Sequence, residues 1–212
     1  MLPPLLPLFP LPNSVLFPGV FLPLHIFEPR YKQMVTRALE GDRIIGMTLL
    51  VPGHEERYEG RPPVFPLGCA GLITHVERQN DGRFNVILRG LDKFRITEEE
   101  PPTDGVLYRI AHVTPIEEEV GGDRRDDLSE ARRRLEILLA PTLLGDTGGG
   151  RLPRDMADDD LVNALSQYLE LEPVEKQALL EQPGVLARCR TLVELIEMKL
   201  LMQSQPDSGL RH

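Results

Sequence analysis

The chain has 212 residues, 41% hydrophobic and 27% charged, with a net charge of −9 and a pI near 5.1. That length suits one large domain or two small ones and can bury a core without disulfide or metal staples. The acidic balance opposes the electrostatic term that dominates binding to a phosphate backbone, which argues against nucleic acid as a partner.

Proline is the compositional oddity at 20 residues, about twice an average share. Eight of the 20 lie in the first 29 residues, and no charge precedes Glu28. A leucine-rich, uncharged start has the composition of a membrane span. A span, however, needs ~20 apolar residues in continuous helix, and each interior proline costs a helix ~3 kcal/mol or more. A secretory signal needs a basic n-region, and no Lys or Arg precedes Arg30. Residues 1–27 are therefore expected as extended, buried chain in the mature fold, with no membrane partner and a cytoplasmic location. Cys69 and Cys189, far apart and without a partner motif, agree with a reducing compartment.

Taken in order, Val20–Phe27 is expected as a largely buried strand. A helix follows from Pro29 to Leu39, with proline suited to the first helical position and Gly41 to the stop. Tyr31, Met34, Val35, Ala38 and Leu39 give that helix one apolar face. Arg43–Val51 is a short apolar run of strand length, and Pro52–Pro66 is a loop. Gly68–Arg78 alternates as a strand, Asn80-Asp81-Gly82 turns the chain, and Phe84, Val86 and Leu88 alternate on the return strand. Gly90 is expected to break that strand, with another beginning at Leu91, and Val106–Ile116 completes the set. One helix and about six short strands favour a small barrel or folded sheet over a doubly wound fold.

The second half differs in composition. Residues 1–115 carry 12 Lys/Arg and 13 Asp/Glu, whereas residues 116–212 carry 12 and 20. Asp127 and Glu130 resemble a capping box, opening a helix striped by Leu128, Ala131, Leu135, Leu138 and Leu139. Pro141–Pro153, with Gly148-Gly149-Gly150, is a connector. Asp158, Asp159 and Asp160 complement the start of a helix through Leu161, Leu165 and Leu169. Pro173 begins a short helix ended by Pro183-Gly184, and Val185, Cys189, Leu192, Ile196 and Leu200 stripe the last. The expected organisation is α+β: a β-rich lobe at 1–118, a linker at 119–125, a helical bundle at 126–204 and a tail at 205–212.

The search for chemistry finds no catalytic constellation. No Walker-type loop is present. The five histidines are scattered, and the cysteines lack metal-ligand spacing, so neither a metal nor a cofactor is implied. None of the five serines lies in a nucleophile elbow. Arg132-Arg133-Arg134 shares its helix with Glu130 and Glu136, as on a solvated, salt-bridged face.

An ordered series of motifs nonetheless resembles one family. The series is Leu6-Pro7-Leu8-Phe9-Pro10-Leu11, Val15-Leu16-Phe17-Pro18-Gly19 and Leu22-Pro23-Leu24-His25-Ile26-Phe27-Glu28-Pro29-Arg30-Tyr31, followed by Gly68-Cys69-Ala70-Gly71, Asp81-Gly82-Arg83 and Arg89-Gly90-Leu91-Asp92-Lys93-Phe94-Arg95-Ile96. In the helical half it continues with Leu161-Val162-Asn163-Ala164-Leu165 and Glu175–Glu181. Together they resemble the Lon protease N-terminal substrate-binding domain family, in particular its small stand-alone bacterial members. The resemblance implies a PUA-like small β-barrel lobe followed by a helical bundle. It also implies recognition of unfolded or extended polypeptide, with a protease or chaperone as a further partner. Neither the ATPase nor the serine–lysine protease module of the full-length enzyme is expected in a chain of this length, so the expected role is non-enzymatic. Phe17, Phe21, Phe27 and Tyr31 are the expected peptide-binding residues. Pro18, Gly19, Pro23, Glu28, Pro29, Arg30 and Gly90 are expected to be structural. Two alternatives stand beside this reading. One is a hydrolase whose site assembles in space around His75, His112 or Glu28, and the other is RNA binding by PUA-like analogy.

Overall fold

The proline-rich opening forms β1 (Leu5–Leu11), a strand with neighbours on both sides. The computed structural model describes residues 2–54, 60–118, 125–143 and 156–204. β1 pairs antiparallel with β6 (Arg109–Ile116) through Leu5–Leu8 and parallel with β3 (Ile44–Leu49) through Leu8–Leu11. Proline lacks the donor a ladder needs. Because the two pairings are staggered along β1, Pro7 and Pro10 each lie in the pairing range of one neighbour only. The parallel β1–β3 pair requires a crossover, and β2 (Phe21–Ile26) with α1 (Pro29–Glu40) supplies it.

β4 (Leu67–Arg78) and β5 (Phe84–Glu99) form a long antiparallel hairpin. Gly90 does not break β5. The strand runs continuously for 16 residues but changes its second neighbour there. Phe84–Arg89 pair with β2, whereas Lys93–Glu99 pair with β6. The sheet order is β2-β5-β4-β3-β1-β6, and the β5–β6 pairing makes β5, β4, β3, β1 and β6 follow one another in a ring. Register shifts in β4–β5 and β5–β6 bend the long strand. Leu6, Leu8, Ala70, Phe94, Ala111 and Val113 fill one core cluster of this sheet.

β2 corrects the expectation of a buried strand. It bonds only β5 among the described strands, and its residues alternate between exposed and half-buried until Ile26. β6 begins at Arg109, not Val106. α1 starts at the expected Pro29 and ends one residue beyond the expected Leu39, with Tyr31, Met34, Val35 and Ala38 buried.

The helices are α2 (Arg125–Leu143), α3 (Asp158–Tyr168), α4 (Pro173–Leu180) and α5 (Val185–Ser204). α2 begins before the expected capping box, so Asp126 and Asp127 occupy its first turn. It also runs through Pro141, where a connector was expected; Gly148-Gly149-Gly150 lies outside the described residues. The chain falls into two compact units. One compact unit comprises Met1–Glu118 together with Asn163–Glu181, and the other comprises Glu119–Val162 and Gln182–His212. The boundary falls inside α3, so α4 belongs with the sheet. In the second unit Arg132 bonds Glu136, the Met156 carbonyl and Asp158, while Arg134 bonds Glu197. Arg132 and Arg134 of the basic run are thus salt-bridged, as expected of a helix face. Leu135, Leu139, Cys189, Leu192 and Ile196 are buried, but Leu200 is exposed.

Candidate functional site: the signature turn, the β2 edge and an arginine groove

Pro18 and Gly19 form a turn closed by a hydrogen bond from Val20 N to the Phe17 carbonyl at 3.2 Å, with Gly19 at φ 76°. Glycine adopts that angle without a Cβ clash, as the third residue of a type II turn must. The turn is seated on Gly90. Gly19 N donates to the Gly90 carbonyl at 3.0 Å, and Gly90 N donates to the Val20 carbonyl at 2.8 Å. A Cβ on Gly90 would lie 1.9 Å from the Phe17 carbonyl oxygen, so only glycine permits this approach.

Polar side chains from α3, all within the same compact unit, complete the clamp. Asn163 Nδ2 donates to the Pro18 carbonyl at 3.1 Å, and Phe17 N donates to Gln167 Oε1 at 3.1 Å. Gln167 Nε2 and the Tyr168 hydroxyl donate to the Phe21 carbonyl at 2.9 and 2.6 Å. Lys176 Nζ in turn donates to the Gln167 carbonyl at 2.6 Å, and burial holds this ammonium below its ordinary pKa. Buried backbone groups without partners are costly, and these amides supply the partners a turn cannot provide for itself. The sequence pattern offered Asn163 within the Leu161–Leu165 motif but no role for it; Gln167 and Tyr168 were not singled out.

The Phe21 carbonyl therefore points away from β5, while the Val20 carbonyl points toward Gly90 on β5. By strand alternation the main-chain groups of Pro23 and His25 share the outward direction. Pro23, which has no N–H, sits at the free-edge position a strand proline requires. Phe21 and Phe27 are 50% and 57% exposed at the two ends of this edge, and Tyr168 is 61% exposed beside Phe21. Of the four expected contact residues, Phe17 and Tyr31 are instead buried: Phe17 lies beneath the turn, and Tyr31 packs on Phe9 with its hydroxyl donating to the Pro10 carbonyl. Glu28 is the N-cap residue of α1 through its carbonyl, whereas its side chain pairs with Arg30 at 2.8 Å.

A second concave surface lies between β1, the Pro101–Arg109 segment and Arg61. Two adjoining cavities of about 290 and 220 Å³ share Arg61, Pro102, Val106 and Tyr108 in their walls. Arg109 grips Glu99 with two nitrogens and donates to the Pro62 carbonyl at 2.7 Å. Arg61 Nη2 reaches Glu99 at 2.9 Å and the Glu100 carbonyl at 2.8 Å. Gln33 braces the segment through the Gly105 carbonyl and Leu107 N. Burial alone would raise the Glu99 carboxyl, but hydrogen bonds and charge from Arg109 and Arg61 outweigh it and hold the pKa below its ordinary value. A depressed folded pKa adds stability that is present above the ordinary carboxylate range and lost as pH falls through the folded value. The stability gap between the native chain and Glu99→Gln should therefore narrow when urea midpoints are compared at about pH 7 and about pH 3. A gap that stays constant would show that the pair does not titrate with folding.

The candidate hydrolytic groups are held apart. His112 bonds Glu100 at 2.6 Å, Glu28 bonds Arg30, and His75 stands exposed on β4; no hydrogen bond joins the three. Both cysteines are buried. Burial, reinforced by Asp158, pushes the Cys189 thiol up to about 11, which keeps it protonated near neutral pH. Among the described residues no group of three or more His, Cys, Asp or Glu is placed to hold a metal ion, and no helix is long and apolar enough to cross a membrane.

Solved structures share this arrangement of strands and helices. The Lon N-terminal domain protein of Xanthomonas campestris aligns with a TM-score of 0.58 at 23% identity, covering 95% of this chain and 99% of that one. The N-terminal domain of Lon protease from the Mycobacterium avium complex aligns at 0.64 and 17% identity, covering 91% and 98%. Among curated proteins, Lon protease 2 of Myxococcus xanthus is 25% identical over 99% of this chain, and Lon protease of Flavobacterium johnsoniae is 26% identical over 94%. The chain spans about a quarter of the length of those relatives. The family model for the substrate-binding domain of ATP-dependent protease La (LON) matches residues 5–198, and the chain belongs to that family.

Proposed function

We propose that this chain is a non-catalytic module that binds extended polypeptide segments, working in the cytoplasm with a protease or chaperone. The ring of five strands is read as the PUA-like small barrel of the family, and the exposed edge of β2 as its contact surface. The observation that carries this reading is the pairing of an open sheet edge with two exposed phenylalanines, Phe21 and Phe27, in a family defined by substrate binding. Extended peptides add to such edges through main-chain hydrogen bonds and gain specificity from side-chain anchors. The outward groups of Pro23 and His25 supply the former, and the phenyl rings supply the latter. The missing donor at Pro23 limits edge-to-edge association of the module with itself.

The double substitution Phe21→Ser and Phe27→Ser is expected to weaken binding of an unfolded model protein about tenfold or more, as loss of two aromatic anchors should. Because both rings are half-exposed or more, the thermal midpoint should change little. Unchanged affinity in a folded double variant would remove β2 from the proposal, and the absence of saturable binding by the native chain would remove the proposal itself.

A further inference from the structure

The smaller cavity beside β1 combines features that the β2 edge lacks. Arg30, Arg61 and Arg109 all line it, and among the described residues no carboxylate does. Glu28 pairs with Arg30, and Glu99 pairs with Arg61 and Arg109. Glu100 lines the adjoining cavity, where it bonds His112. Among the described residues the lining thus carries three guanidiniums and no carboxylate, in a chain of net charge −9. Arg61 bonds through Nη2 alone; its Nε and Nη1 carry no hydrogen bond among the described residues. Apolar and aromatic residues line it too, among them Leu107, 57% exposed, and Tyr108.

We propose that this cavity receives the C-terminal carboxylate of a polypeptide whose last residue is apolar. Arg61 would donate its unused N–H groups to the carboxylate, with Arg30 and Arg109 supplying further positive charge, while the terminal side chain packs against Leu107 and Tyr108. At about 220 Å³ the cavity falls below the ~300–1,000 Å³ of small-molecule sites but accommodates the end of a chain. A C-terminal apolar residue presents its carboxylate and side chain from one Cα, matching a cavity lined by both guanidiniums and apolar side chains. An internal Asp or Glu presents a carboxylate alone. The adjoining cavity continues the surface for the preceding residue. This assignment rests on the reading of the chain as a polypeptide-binding module but not on the β2 edge.

The test uses the full chain and an N-acetylated, otherwise uncharged extended peptide of about ten residues ending in leucine. Fluorescence anisotropy compares the free acid, the C-terminal amide, and an amide carrying one internal Asp. The free acid is expected to bind about tenfold or more tightly than either amide, the usual reach of a charge-assisted contact. Arg61→Gln should abolish that difference, and Leu107→Glu, at an exposed wall position, should weaken the free acid selectively. The Phe21→Ser, Phe27→Ser double variant should keep the ratio of acid to amide. Equal binding of acid and amide, equal binding of the internal-Asp peptide, or a ratio that survives both wall variants would overturn the carboxylate site while leaving polypeptide binding intact. Failure of all three peptides to bind would reject both readings.

Discussion

Gly90→Ala is expected to cost the protein roughly 3 kcal/mol or more, the largest loss available from the smallest change of side chain. The added methyl would stand 1.9 Å from the Phe17 carbonyl oxygen and 2.8 Å from its carbonyl carbon. Both are main-chain atoms, so no rotamer change relieves the overlap. Moving the turn away breaks the two hydrogen bonds it makes with Gly90 itself, each worth about 1 kcal/mol. The same movement would pull Phe17, Pro18 and Phe21 from Asn163, Gln167 and Tyr168. Urea denaturation followed by circular dichroism measures the effect, and a loss below about 1 kcal/mol would mean that the turn is not seated on β5 as described.

The second expectation is a contrast between two phenylalanines ten positions apart. Phe17 is fully buried, and Phe17→Ala should cost about 3–5 kcal/mol through lost apolar transfer and the cavity left behind. Phe27 is 57% exposed, and Phe27→Ala should change stability by no more than about 0.5 kcal/mol. The expected division of labour is that Phe17 variants lose binding only as they unfold, whereas Phe27 variants stay folded and bind extended chain less well. If the two substitutions lowered the thermal midpoint equally, the assignment of one ring to scaffold and the other to contact would be wrong.

What could be read from residues alone follows from whether the determining interaction is local. The β4–β5 hairpin was legible because Asp81-Gly82 sets the turn, with Gly82 at φ 77° and Gln79 N bonded to the Arg83 carbonyl. The bounds of α1 were legible because Pro29 and Gly41 punctuate it. Gly90 misled because glycine is usually a strand's weak point; its cause here is a chain segment some 70 residues earlier pressing against it. β2 misled because Phe-Leu-Pro-Leu-His-Ile is apolar whether its far side is covered or open, and the strand order decides which. Nothing local distinguishes Phe17 from Phe21. The arginine groove had no signal at all, since Arg30, Arg61 and Arg109 reach one cavity only through the crossover and the late pairing of β6.

That late pairing also dictates an order of assembly. Leu5 pairs with His112, so the first half of β1 waits for a partner more than a hundred residues later in synthesis, and the turn at Phe17 waits longer still for Gln167. Loop closure over such distances is slow relative to local hairpin formation. On the ribosome, β3 and the β4–β5 hairpin are available early, while the uncharged Leu5–Leu8 half of β1 keeps its β6 side unpaired until that strand emerges. The prolines then act before the fold exists: a segment interrupted every few residues by a missing donor is a poor template for strand-to-strand aggregation, and it can wait for its place in the sheet.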